Sequence, residues 1–193
     1  AGRFAPRSDT VYLSVVDADR NAVSFINSNY AGIGSGVVVR EWGIALQNRG
    51  ALFTTEPGHP NTLEPLKRPF HTIIPAMAFR HGRPWLSFGV MGGYMQPQGH
   101  VQVLTNLVDF GMDPQQSLDA PRWQVDPLTG RVLLEPGLGY LASALDRLGH
   151  AIAVTEAEAS AQFGGGQVIL IDPETNMLHA GSDPRKDGCA VGY

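Results

Sequence analysis

One cysteine, Cys189, stands in a chain of 193 residues. No disulfide within the chain is possible, and cysteine usage leaves cytoplasm and periplasm equally open. No apolar run approaches the ~18 residues of a membrane span, and no signal peptide opens the chain. A start at Ala1-Gly2-Arg3, without Met, suggests a processed or partial chain whose targeting signals lie elsewhere. Basic residues are scarce too: 14 Lys and Arg against 18 Asp and Glu leave a net charge of −4. That gives no footprint for nucleic acid or for an acidic membrane. His59, His71, His81, His100, His150 and His179 form no ligand pair at helical spacing, so no metal and no cofactor is expected. The loop Gly32-Ile33-Gly34-Ser35-Gly36 lacks a phosphate-binding Lys and the glycine spacing of a dinucleotide loop, and reads better as a tight turn. No nucleophile elbow supports a Ser-His-Asp triad.

What is present belongs to a globular protein: 43% hydrophobic, 17% charged, with 23 Gly and 14 Pro to build turns. A single domain of this size buries roughly 70% of its extended surface and needs no covalent staple. Period-2 patterns predict strands near 11–17 and 22–28, then 37–40 and 43–47. Residues 48–69 are irregular and rich in Gly and Pro, as in segments that line a site. Runs at 73–80 and 84–90 flank His81-Gly82-Arg83 as a hairpin. The period then changes, and Val101, Val103, Leu104, Leu107, Val108 and Phe110 predict a helix over 97–110. Asp113-Pro114-Gln115-Gln116 has the form of a capping box with Pro at the first helical position. Tyr140, Leu141, Ala144, Leu145 and Leu148 predict another helix, stopped by Gly149. Strands near 131–135, 151–155, 167–171 and 177–180 complete an α+β order of layered sheets with helices outside.

Two segments carry candidate chemistry. Thr10 opens the first strand, a poor packing choice but a good place for a nucleophile. A cut between Asp9 and Thr10 would give it an α-amine of pKa about 8 as its own general base. A Thr chosen for β-propensity is the competing account. Gly89-Val90-Met91-Gly92-Gly93-Tyr94 leads from a strand into the long helix. Its paired glycines suit either an oxyanion hole at a helix N-terminus or a close strand–helix corner. Ser28, on the antiparallel neighbour, is placed to hydrogen-bond Thr10, or is an ordinary strand serine.

These segments, in this order, resemble the small subunit of gamma-glutamyltransferases (gamma-glutamyltranspeptidases), N-terminal-nucleophile (Ntn) hydrolases matured by self-cleavage. The anchors are Thr10 with Ser14-Val15-Val16-Asp17, Asn21-Ala22-Val23, Gly34-Ser35-Gly36, Lys67-Arg68-Pro69, Gly92-Gly93, Asp109-Phe110-Gly111, Ala120-Pro121-Arg122 and Gly181-Ser182-Asp183-Pro184-Arg185, with Gly192-Tyr193 at the end. The likeness implies a four-layer αββα sandwich over 10–193, with residues 1–9 as a residual precursor segment or linker. It implies cleavage between Asp9 and Thr10, Thr10 as nucleophile, Ser28 supporting it, and Gly92 and Gly93 holding the oxyanion. It also implies a large subunit from the same precursor, hence a heterodimer or a dimer of heterodimers, and an isolated chain without activity.

The pocket departs from the family pattern. Where γ-glutamyl-binding members use an Asn, a Gln and an Asp, an ungapped alignment gives Tyr30, Arg49 and Leu52. A Ser-Ser pair that holds the α-carboxylate becomes His71-Thr72. Leu52 cannot pair an ammonium and Arg49 repels one. The expected substrate is therefore a small acyl amide with a carboxylate or neutral polar head, read partly by Arg49 and His71, with Tyr30 and Thr72 alongside. Glutathione is expected to be poor. A glutaryl- or cephalosporin-type acylase, a non-catalytic binding module on the same fold, and an esterase using Ser28 or Ser35 are the competing readings.

Overall fold

The structure, a computed structural model, describes residues 8–156 and 161–193, so residues 1–7 of the expected leading segment lie outside the described residues. Strands β1 (Ser8–Val16) and β2 (Ala22–Ala31) form an antiparallel hairpin. Asp17 closes its turn by accepting the backbone N–H and the side-chain amide of Asn21, each at 2.8 Å. The ladder is regular from Val16↔Ala22 to Thr10↔Ser28, then slips: Ser8 pairs with Ala31. The extra residue of this bulge falls on β2, where Tyr30 takes φ +74°, a left-handed conformation uncommon for a bulky side chain.

The hairpin's alternation runs opposite to that of an ordinary surface hairpin. Tyr12 and Ser14 point inward, while Val11, Leu13 and Val15 on β1 and Val23 and Phe25 on β2 stand out toward solvent. Leu13 lies opposite Phe25, and the two are 45% and 50% exposed. The inner face packs on a second sheet through small and polar groups. Ser14 Oγ donates to Ser87 Oγ at 2.6 Å, Ser87 Oγ donates to the Val23 carbonyl, and Tyr12 Oη pairs with Ser24 Oγ at 2.7 Å.

That second sheet runs in the order β11 (Leu178–Ser182), β10 (Gly165–Ile171), β6 (Arg83–Met91), β5 (Ala76–Arg80), with antiparallel neighbours throughout. Central β6 is buried on both faces. Trp85, Ser87 and Gly89 alternate with Leu86, Phe88 and Val90; the second set enters the core with Val103, Leu107, Leu118 and Val168, and Trp85 joins the same cluster. Helices α1 (Met95–Val108) and α2 (Pro114–Asp119) cover that side. Each of those apolar side chains contributes roughly 1.5–3 kcal/mol by leaving water. Gly99 lets α1 close on β6, since a Cβ there would lie 2.6 Å from Val90 Cγ1. The α2 capping box forms as expected: Asp113 accepts the Gln116 N–H at 2.8 Å, and the Gln116 side chain accepts the Asp113 N–H at 3.1 Å. Helices, sheet and hairpin thus make three layers of an α+β fold, and the hairpin's open apolar face is where a fourth would lie.

Elsewhere the expected elements shrink. The strands expected at 37–40 and 43–47 become β3 (Val38–Val39) and β4 (Ile44–Ala45). The last expected helix splits into a 3-10 segment, Pro136–Leu141, and α3 (Ala142–Arg147). A small sheet forms from β7 (Trp123–Val125), β8 (Val132–Leu134) and β9 (Ile152–Val154), and β7 was not foreseen.

The contact between the two sheets is tight at Gly89, where a Cβ would lie 2.5 Å from Tyr12 Cε2. Gly89→Ala is therefore expected to destabilise the fold by about 1–3 kcal/mol through overpacking. A urea midpoint unchanged from the parent protein would refute that contact.

Candidate active site

Thr10 sits at the inner end of the hairpin, 7% exposed. Its Oγ1 donates to Ser28 Oγ at 2.9 Å across the ladder. The same serine oxygen accepts the Tyr30 N–H at 2.9 Å and Arg49 Nη2 at 3.1 Å. The oxygen beside Thr10 is thus held by a main-chain dipole and a cation, which biases it toward stabilising negative charge. Arg49 opens the 3-10 segment Arg49–Leu52, and its guanidinium lies 5.1 Å from the Tyr30 ring centroid. Burial pulls the Arg49 pKa down and Tyr30 partly offsets this. The Tyr30 phenol is pushed up by burial first and by Tyr94 second. Asn48 fixes the chain here, accepting the Ala31 N–H and donating to the Ala31 and Gly34 carbonyls.

The glycine pair arrives from the other sheet. Gly92 (φ +129°) and Gly93 (φ +59°) join β6 to α1 in conformations that disfavour any side chain. At Gly92 a Cβ would also lie 2.8 Å from Gly164 Cα. The Gly92 and Gly93 carbonyls accept the N–H groups of Met95 and Gln96, both at 3.1 Å. In a trans peptide the N–H points opposite to the C=O, so the Gly93 N–H is directed away from the helix body. The N-terminus of the 14-residue α1 adds its partial positive charge at the same place.

Thr10, Gly92 and Gly93 line one cavity of about 210 Å³ together with Tyr30, Ala31, Arg49, Leu52, Thr72, Tyr94 and Gln124. Ser28 stands behind Thr10 rather than in the wall. His71 is exposed, accepts the Ile73 N–H, and does not line the cavity, whereas buried Thr72 does. Tyr94 and Gln124 were missed from sequence. Tyr94 follows the glycine pair directly, which was the available signal. Gln124 comes from the unforeseen β7.

A buried ionic cluster props the site from behind. Asp183 Oδ2 accepts Arg122 Nη2 at 2.6 Å and the Gly166 N–H at 2.9 Å, while Oδ1 accepts the Arg185 N–H and Nη1. Arg185 grips Glu135 with Nε at 2.7 Å and Nη2 at 2.5 Å. Burial lowers the Arg122 pKa despite Asp183, whereas for Arg185 the pairing with Glu135 and Asp183 outweighs burial and raises it. Arg122, Asp183 and Arg185 belong to the anchors seen in the sequence, whereas Glu135 was not singled out there.

The layering, with a hydroxyl at the head of an inner strand facing a glycine corner, defines the class as an Ntn-hydrolase fold. The family model described as gamma-glutamyltranspeptidase matches residues 3–193. The chain belongs to the gamma-glutamyltranspeptidase family. It is 42% identical to the glutathione hydrolase-like YwrD proenzyme of Bacillus subtilis, over 96% of this chain and 36% of that protein. It is 39% identical to the oxamate amidohydrolase proenzyme of Klebsiella pneumoniae, again over 96% and 36%. Among solved structures it is similar to a cephalosporin acylase from Bacillus halodurans: TM-score 0.87, 51% identity, 94% of this chain and 34% of that one. It is also similar to a gamma-glutamyltranspeptidase from Pseudomonas nitroreducens complexed with L-DON: TM-score 0.80, 27% identity, 94% of this chain and 98% of that one. The chain therefore spans about a third of the length of the curated relatives it matches.

Proposed function

We propose that this chain is the nucleophile-bearing part of an amide hydrolase or acyltransferase released by self-cleavage before Thr10. The observation that carries the reading is the single cavity shared by Thr10, Gly92 and Gly93. In the precursor, Thr10 Oγ1 attacks the Asp9 carbonyl, the main chain shifts to an ester, and water opens it. The bulge in the ladder between Ser8 and Thr10 sets this bond apart from the regular hairpin, a feature over-represented beside active sites. In turnover, Oγ1 adds to the substrate amide carbon while the freed α-amine takes its proton. Ser28 steadies the hydroxyl, and the glycine N–H groups hold the oxyanion, each such donor being worth ~3 kcal/mol in the transition state. The amine leaves with a proton, and water or an acceptor amine takes the acyl group.

The acyl group differs from γ-glutamyl. Among the described residues the cavity wall carries Arg49 and no carboxylate, so they offer an α-ammonium no partner. Two similar proteins named for other substrates, oxamate and cephalosporins, support this departure.

The partner is a large subunit from the same precursor, in keeping with relatives named as proenzymes. It covers Val11, Leu13, Val15, Val23 and Phe25, supplying the fourth layer. Leu13→Asp with Phe25→Asp is expected to dissociate the two pieces on size exclusion. An intact complex would show that the partner sits elsewhere.

Intact-mass analysis of the complete precursor tests the proposal. Two pieces should appear, the second beginning at Thr10, and a hydroxyl-directed acylating probe should label Thr10. A precursor that never splits under any condition favours a non-catalytic module. Labelling of Ser28 or Ser35 instead favours the esterase.

A further inference from the structure

Among the described residues two arginines are buried, Arg49 and Arg122, and Arg185 keeps only 7% of its side chain exposed. Two of these three are neutralised by the fold, since Arg122 meets Asp183 at 2.6 Å and Arg185 meets Glu135 at 2.5 Å. Arg49 is the third. It is 9% exposed and forms no ion pair among the described residues. Its Nη1 is shut off from solvent without an acceptor. An unmet buried donor on a charged group is costly, and an anion is the acceptor that would answer both the open bond and the charge. Arg49 lines the same cavity as Thr10 and, among the described residues, is the only cation in its wall. A ligand in that cavity could bring such an anion to Arg49.

We propose that Arg49 receives a carboxylate of the acyl donor, and that its closeness to Thr10 selects monoamides of short dicarboxylic acids, such as oxamate and malonamate. This rests on Thr10 being the nucleophile. Hydrogen bonds of 2.9 and 3.1 Å meeting at Ser28 Oγ place Arg49 Nη2 within about 6 Å of Thr10 Oγ1. A carbonyl carbon poised for attack stands about 3 Å from the nucleophile. A carboxylate oxygen stands about 2.8 Å from the guanidinium nitrogen. A donor lying between the two groups fits best when its carboxylate is on the amide carbon or one carbon beyond. An extended glutaryl or γ-glutamyl chain, with about 5 Å between its terminal carbons, has to bow out of the line joining the two groups. The cavity of about 210 Å³ also lies below the ~300 Å³ where pockets for larger ligands begin. In the reaction, Thr10 Oγ1 bonds to the amide carbon, the C–N bond breaks, and ammonia or an amine leaves with the hydroxyl's proton. Water then cleaves the ester, giving the free dicarboxylate and restoring the hydroxyl.

The test uses the mature two-piece protein and calorimetric titration with oxalate, malonate, succinate and glutarate, the products of the series, so that binding is read without turnover. Oxalate or malonate should bind at least 10-fold tighter than glutarate. Arg49→Gln should weaken the tightest ligand on the order of 100-fold. Arg49→Lys keeps the charge and loses the fork, so it should fall in between; it carries the comparison if Arg49→Gln does not fold. With substrates, kcat/KM on oxamate should fall about 100-fold in Arg49→Gln, mostly in KM, and at least tenfold further than kcat/KM on propionamide, which has no carboxylate to lose. Glutarate binding as tightly as oxalate and malonate, binding untouched by either substitution, or no dicarboxylate binding at all would overturn the proposal. Arg49-dependent binding with no amide ever turned over would sink the hydrolase reading and leave the subsite standing. Turnover indifferent to Arg49 would do the reverse.

Discussion

Replacing Thr10 by Ala is expected to leave the precursor uncut and to abolish turnover, a loss on the order of 10⁴-fold or more, because in the proposed mechanism one oxygen serves both reactions. Thr10→Ser keeps the hydroxyl opposite Ser28 and should still split, more slowly, since the methyl that restricts χ1 is gone. Intact-mass time courses separate the two variants. The decisive comparison supplies the two pieces separately, with the second beginning at position 10 as Ala. If that pre-cut Ala protein hydrolyses amides within tenfold of the parent, the nucleophile lies elsewhere. Uncut Thr10→Ala alone does not discriminate, because any block to maturation also closes the site.

The second large effect is on stability. Asp183→Ala removes the carboxylate that serves two guanidinium groups and two main-chain N–H groups, and leaves an uncompensated cation in a site where Arg122 is 1% exposed. Breaking such a pair from one side costs about 3–5 kcal/mol, against within ~0.5 kcal/mol for an exposed control such as Asp146→Ala. A urea midpoint that falls at constant slope would report this directly. Activity should fall as well, because Gly166 follows Gly164, whose Cα backs Gly92. A midpoint shift below 1 kcal/mol would mean that the cluster is solvated rather than structural.

Local signals carried much of the architecture. Alternation gave the hairpin, and a cap sequence gave α2. Helix α1 starts at Met95, ahead of the expected residue 97, because a proline is harmless in a first turn where its N–H has no partner. Short elements escaped: Trp123–Val125 is too brief to show a period. The site was legible in part. Thr10, Gly92 and Gly93 stood out, but the turn of Arg49 back to Ser28, 21 positions away, is a tertiary event. His71 and Thr72 were indistinguishable as a pair, and only the folded chain shows which one enters the wall. Likewise Arg122 and Asp183 were visible as motifs, while their partnership across 61 positions was not.

The slip in the β1–β2 ladder bears on the direction of maturation. Downstream of the junction every position from Thr10 to Val16 has a partner in β2, whereas upstream Ser8 meets Ala31 out of phase with that series. If the bond before Thr10 opens as proposed, the new amino end stays anchored by the continuous ladder while the departing carboxyl end keeps only an offset hold. Religation would then need both ends realigned against this mismatch, and the proposed cut would act as a ratchet.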